Sequence, residues 1–173
     1  MLLQNSKFLL ITALFLVYFT IACGDGSTNF NIQPPDFTTV PPPVDTTGAD
    51  RFEREDGLVF YRVHSCEEQF EESKCEFSVV NRDNIRLHFT LRNLDGQIIN
   101  STFANGNTTP NIQAVQNAPT EGLRRGLIGM KEGEVRVLIV PPPLGFQNVS
   151  IANPNFEFRD DTLVYDLELV EII

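Results

Sequence analysis

"EGLRRGLIGMKEGEVRVLIVPPPLGF", Glu121 to Phe146, spaces glycines at 122, 126, 129 and 133, then gives a strand, three prolines and Gly145-Phe146. Thr120 can cap a helix that begins at Glu121, with that carboxylate near the positive end of the dipole. Leu123, Leu127 and Met130 fall at helical spacing and share one side, while Arg124 and Arg125 point elsewhere. Each glycine weakens such a helix by up to about 1 kcal/mol relative to alanine. Glycine is worth that cost only where backbone must approach a neighbour closely. "KEGE" closes the helix, with Gly133 turning the chain. "EVRVLIV" then reads as a strand apolar on both faces, hence central, which Pro141, Pro142 and Pro143 end because proline cannot donate to a ladder. A helix laid on a sheet is the reading, with something apolar to hold at the end of the strand.

Working outward, the remaining strands show period-two alternation. "GLVFYRV" (57–63) is the first. In "NIRLHFTLR", Ile85, Leu87, Phe89 and Leu91 face one way; Arg86, His88, Thr90 and Arg92 face the other, as in an antiparallel sheet wetted on one side. "LDGQ" (94–97) supplies an Asp-Gly hairpin turn, and "QIIN" continues from it. Asn100 to Ala118 is rich in Asn and Thr and reads as irregular and exposed. "DTLVYDLELVEI" (161–172) is a long final strand. The fold class is α+β: a mostly antiparallel sheet of five or six strands wrapped around one short helix.

The ends of the chain set its context. The 173 residues allow one domain plus extensions, and 42% hydrophobic content suffices for a core. Residues 1–22 carry Lys7 as their one charge and a 15-residue apolar run, Phe8 to Ala22, ahead of Cys23. A membrane span needs about 20 residues. A basic start, a short apolar run and small residues before the junction describe an export signal, with an uncleaved anchor helix as the alternative. "FTIACGDG" also resembles the lipobox of bacterial lipoproteins, which implies acylation of Cys23, although Thr20 stands where that motif usually has Leu. Residues 23–50, with five prolines and many Thr and Asp, read as an extended, solvated tether. The domain is expected at 51–173.

The net charge of −10 becomes one more negative once residues 1–22 are removed with Lys7. An acidic surface repels phosphate backbones, so nucleic acid is not an expected partner. Attachment to a membrane is then expected through the lipid rather than through charge. In an oxidising compartment Cys66 and Cys75 favour a disulfide. A redox C-x-x-C pair would sit closer, and a metal site would need more ligands than two thiols. His64 and His88 show no metal-binding spacing, and His88 reads as a solvated strand residue.

Three blocks now stand in order: "LHFTLRNLDGQIINS", "EGLRRGLIGMKEGEVRVLIVPPPLGF" and "DTLVYDLELVEI". Together they resemble the FKBP-type peptidyl-prolyl cis-trans isomerases over roughly Gly57 to Ile172. The resemblance implies that the helix beginning at Gly122 and Gly126 floors a proline pocket whose mouth Phe146 overhangs. It implies no metal and no cofactor, because turning an X-Pro bond breaks no bond. Its partners would be proline-containing polypeptide segments.

Carried over by position, the family's pocket Tyr is Phe89 and its Phe-Asp pair is Ile99-Asn100. The Val-Ile whose second amide binds the substrate carbonyl is Pro119-Thr120. The floor Trp is Leu123, the rim Tyr is Phe146, and the Phe of the last strand is Tyr165. Phe89, Asn100, Phe146 and Tyr165 are therefore the candidate catalytic residues, with Ile99, Thr120 and Leu123 for substrate binding. Gln147 replaces the usual Gly after the rim aromatic. Phe89, Leu123 and Tyr165 are equally what a closed sheet-on-helix core would hold, and Asn100 what a turn would hold. The expectation is a weak prolyl isomerase assisting exported proteins, tethered to a bacterial envelope membrane. A non-catalytic chaperone or peptide-binding module of the same fold is the alternative, and an adhesin or structural envelope lipoprotein would leave the three blocks unexplained.

Overall fold

The computed structural model describes residues 33–173, so Cys23 and the apolar run before it lie outside the described residues. From Pro35 to Ile173 the chain forms one compact unit. Its seven strands are β1 (Asp50–Glu53), β2 (Val59–His64), β3 (Asn84–Asn93), β4 (Ile98–Ser101), β5 (Asn111–Ala114), β6 (Val135–Val140) and β7 (Leu163–Ile172). One sheet contains them all in the order β1-β2-β6-β7-β3-β4, with β5 also on β3, and every pairing is antiparallel. This is the expected α+β sheet with two strands that alternation did not announce, β1 and β5. Both are four residues long, and neither has a buried residue to set a period.

A short helix, α1 (Cys66–Gln69), follows β2, and the main helix is α2 (Glu121–Leu127). Thr120 caps α2 as expected, its Oγ1 accepting from the Leu123 amide at 3.1 Å. The glycines explain how α2 sits. A Cβ added to Gly122 would overlap the Val140 side chain, and one on Gly126 would overlap Leu138. Backbone of α2 thus rests directly on β6. Gly129 ends the helix with a φ of 80°, a left-handed position that glycine occupies without cost. Leu123, Leu127 and Met130 are buried beneath it with Leu58, Leu87, Leu138 and Leu167.

Beside this apolar core lies a buried polar cluster. Arg136 points to the helix side of β6 and is 2% exposed. It donates to both oxygens of Glu134, at 2.5 and 3.2 Å, to the Gly126 carbonyl at 2.9 Å and to the Gly129 carbonyl at 3.0 Å. The Gly126 carbonyl belongs to the last turn of α2, where the last four have no partner within the helix, and the Gly129 carbonyl lies just beyond the helix end. One side chain thereby caps the helix and satisfies a buried carboxylate.

On the outer face of the sheet the alternation misleads. Thr90 and Arg92, expected in water, are 3% and 5% exposed. Arg92 pairs there with Asp166 of β7, which is 9% exposed. The cause is the Pro-rich stretch, which carries turns but no helix or strand from 33 to 49. The Pro41 carbonyl accepts from Arg92 Nη2 at 2.7 Å, and the Val44 backbone favours the charged Asp166 carboxylate. Burial pushes the Asp166 carboxyl up, while Arg92 and the Val44 backbone act against that shift. His88, read as solvated, is half-buried, with its ring stacked on Phe103 at 4.7 Å.

Cys66 and Cys75 are joined by a disulfide with a Cα–Cα separation of 5.8 Å. It ties α1 to the turn at its far side, closing the acidic loop expected between them.

Candidate proline-binding site

The seven candidate residues divide by depth. Phe89 in β3 and Asn100 in β4 line a groove of about 560 Å³ together with Thr102, Asn105, Pro110 and Asn111. Ile99 is half-buried and packs against the core. Thr120, Leu123, Phe146 and Tyr165 are 3%, 3%, 2% and 1% exposed. Phe146 does not overhang a mouth. A single turn of helix, Pro142–Leu144, and Gly145 fold the loop back so that its ring enters the core cluster.

Sheet register connects the two groups. Residues paired across an antiparallel ladder project to the same face. Leu138 pairs with Tyr165, Tyr165 with Leu91, and Leu91 with Asn100. This row runs from beneath α2 to the open edge, with Tyr165 at its centre and Asn100 at its wet end. The next row places Phe89 beside Leu167.

At the buried end, Tyr165 Oη lies 3.2 Å from Thr120 Oγ1. The residue that differs from the family pattern in β7 therefore contacts the residue that differs from it at the start of α2. Burial pushes the Tyr165 phenol up to about 12, and the Thr120 hydrogen bond only partly opposes this. At the wet end, Asn100 Oδ1 accepts from the Ser101 amide at 2.8 Å. This is the local turn-type bond that was the alternative to a functional role.

The helix start carries the strongest charges nearby. Arg124 and Arg125 bond to Glu121 at 2.5 and 2.7 Å, and Arg125 also pairs with Asp56. The Arg124 hydrogen bond, then that of Arg125, holds the Glu121 carboxyl down at about 2 against its partial burial. A depressed carboxyl contributes stability above its unfolded value near 4.5 and loses it as pH falls toward 2. At neutral pH the cluster is fully ionised.

Sequence reasoning missed the wall from Thr102 to Asn111. Its signal was present in "ANGN", because an Asn-Gly pair favours positive φ. Asn105 has φ 56° and Gly106 φ 72°.

The sequence and the fold are similar to those of known proteins. The family model described as FKBP-type peptidyl-prolyl cis-trans isomerase matches residues 75–170. The human peptidyl-prolyl cis-trans isomerase FKBP9 is 32% identical over 93 residues, 53% of this chain and 15% of that protein. Peptidyl-prolyl cis-trans isomerase Mip of Chlamydia trachomatis is 29% identical over 112 residues, 60% of this chain and 43% of the other. The chain thus spans half or less of the length of these curated relatives. Among solved structures, FkpA from Escherichia coli superposes with a TM-score of 0.54 at 21% identity, covering 70% of this chain and 51% of that one. AtFKBP13 gives 0.55 at 16% identity, covering 72% and 99%. With more than half of its length inside the family model, and the fold shared, this chain belongs to the FKBP-type peptidyl-prolyl cis-trans isomerase family.

Proposed function

We propose that the chain is a slow prolyl isomerase that takes Xaa-Pro segments of polypeptides into the groove beside Phe89 and Asn100. The observation that carries this reading is the row from Asn100 through Leu91 to Tyr165, which joins the open groove to the start of α2. Turning an X-Pro bond meets a barrier of roughly 18–20 kcal/mol from amide resonance. No bond breaks, so catalysis needs apolar walls that strip water from the imide carbonyl and a donor that fits the twisted state better than the planar one. In this reading Phe89 and Ile99 grip the ring. The Thr120 amide is the donor, being one of those a helix start leaves without a partner inside the helix. Entry of the ring requires room at Tyr165, and the Tyr165–Thr120 contact is why we expect turnover to be slow.

Tyr165→Phe tests this. Removing the hydroxyl frees space and a polar contact at the floor, so kcat/KM on Xaa-Pro peptides should rise severalfold. An unchanged or lower rate in a folded variant would count against the assignment. A second effect follows from the phenol. A raised pKa contributes stability that is present below about 10 and lost as pH climbs toward about 12, so the variant should resist alkaline unfolding in that window. Between pH 6 and 8 neither Glu121 nor Tyr165 changes charge, and the rate should be flat.

The burial of Thr120, Leu123, Phe146 and Tyr165 favours a second reading, a non-catalytic chaperone or peptide-binding module. Peptides that bind without being turned over would select it.

We also propose that the domain acts on exported proteins from a lipid anchor at Cys23 in a bacterial envelope. Cys23→Ser should move the protein to the soluble fraction. Unchanged partitioning into detergent would indicate an uncleaved anchor instead.

A further inference from the structure

The Pro-rich stretch ahead of β1 does more than cover the Arg92–Asp166 pair. Its first part grips the turn that forms the outer wall of the groove. The Asp36 amide donates to Asn105 Oδ1 at 2.8 Å, and the Asn105 amide donates to the Asp36 carbonyl at 2.7 Å. Thr39 Oγ1 donates to the Phe103 carbonyl at 2.7 Å and accepts from the Gly106 amide at 3.0 Å. Four hydrogen bonds, each spanning more than 60 residues of sequence, therefore hold Phe103–Gly106 from outside. Asn105 lines the groove on its other side, beside Phe89 and Asn100.

The turn needs such support. Asn105 is the one described non-glycine residue with positive φ, a conformation that persists where surroundings determine it. Its wall carries little apolar burial, since residues 104–109 are half-buried or exposed. Further along, the Pro41 carbonyl fastens the stretch to Arg92, the partner of Asp166. A cavity of about 270 Å³ remains under it, bounded by Pro41, Pro42 and Val44 on one side and by His88 and Phe89 on the other. Phe89 thus stands between that cavity and the groove.

We propose that Asp36–Val44 is a strap that positions the Phe103–Gly106 turn as a wall of the groove, with Thr39 a positioning residue for peptide affinity. The stretch ahead of β1, part of the compact unit that begins at Pro35, is then a determinant of substrate binding. The proposal rests on the prolyl reading of the groove. It concerns KM rather than kcat, because the strap touches neither Thr120 nor Tyr165.

The test is Thr39→Val in the full chain, with Thr39→Ser as the conservative control. Thr39 is exposed, so folding should survive the change. Loss of its hydroxyl should speed amide exchange at Gly106 by about tenfold, the factor typical of one net hydrogen bond, while Leu138 in β6 keeps its protection. KM for Xaa-Pro peptides should rise about three- to tenfold with kcat within about twofold, and Thr39→Ser should restore both readouts. Unchanged exchange at Gly106 would overturn the strap itself. Faster exchange with an unchanged KM would overturn its role in binding. If wild-type protein neither binds nor turns over any such peptide, the prolyl reading fails and the affinity claim with it, whatever the exchange at Gly106 shows.

Discussion

Arg136→Ala should lower the stability of the domain by about 3–5 kcal/mol, the range for removing one partner of a buried ion pair. Glu134, 2% exposed, would lose a two-pronged partner and keep Arg62 at 3.1 Å and the Lys131 amide at 3.0 Å. The Gly126 carbonyl would lose its donor in the interior, and the Gly129 carbonyl would lose one nearer the surface. The guanidinium also lies 4.8 Å from the Phe60 ring centre, so truncation leaves a void beside an aromatic face. Arg136→Met would refill much of that volume, and it separates cavity from charge: most of the loss should persist in it. In urea the midpoint should fall with the slope unchanged. A loss under about 1 kcal/mol in the alanine variant would mean that water or Arg62 replaces Arg136 at little cost.

Gly126→Ala should also destabilise, by about 1–3 kcal/mol, although alanine favours an exposed helix by about 1 kcal/mol. The added Cβ would overlap the Leu138 side chain, which is fully buried and cannot swing away. Gly122→Ala meets Val140 in the same way. Both changes push α2 off β6 in the same direction, so the double variant should lose less than the sum of the singles. Gly129→Ala is a useful contrast, because it meets no neighbour within 4 Å and its cost is the left-handed φ alone. A stabilised Gly126→Ala protein would show that the helix does not rest on the strand at that point.

This contact was the most legible part of the molecule. Glycines four apart in a helix, followed by a strand apolar on both sides, require close approach, and Gly122 and Gly126 meet consecutive inward residues of β6. Period-two alternation likewise located β3 and β7, because their inward residues are apolar and regular.

Other features left no such trace. β5 is made of Asn, Ile, Gln and Ala on an edge, held by backbone bonds to β3 that any residues can make. The strap is fastened by carbonyls, amides and one threonine hydroxyl, while its proline content suggests a solvated chain. Arg92 read as an outward charge because its partner Asp166 lies 74 positions away. The site was legible by position and not by depth. Ladder pairing puts Phe89 and Asn100 on the groove. The extra hydroxyl of Tyr165, bonded to Thr120, and the folded-back Phe146 depend on packing that a single chain of letters does not display. Leu123 belongs here too: at 3% exposure, a tryptophan in its place would overpack the core rather than restore a pocket floor.

The central claim is that the groove and the start of α2 act together on a prolyl bond. The most direct measurement is magnetisation exchange between the cis and trans forms of an Xaa-Pro peptide, with and without wild-type protein. The account predicts faster exchange with protein, a further increase with Tyr165→Phe, and peptide-induced shifts at the Phe89, Asn100 and Thr120 amides. Shifts at those amides without faster exchange in either protein would leave a binding module and contradict the enzyme. Neither shifts nor exchange, in folded protein, would contradict the site.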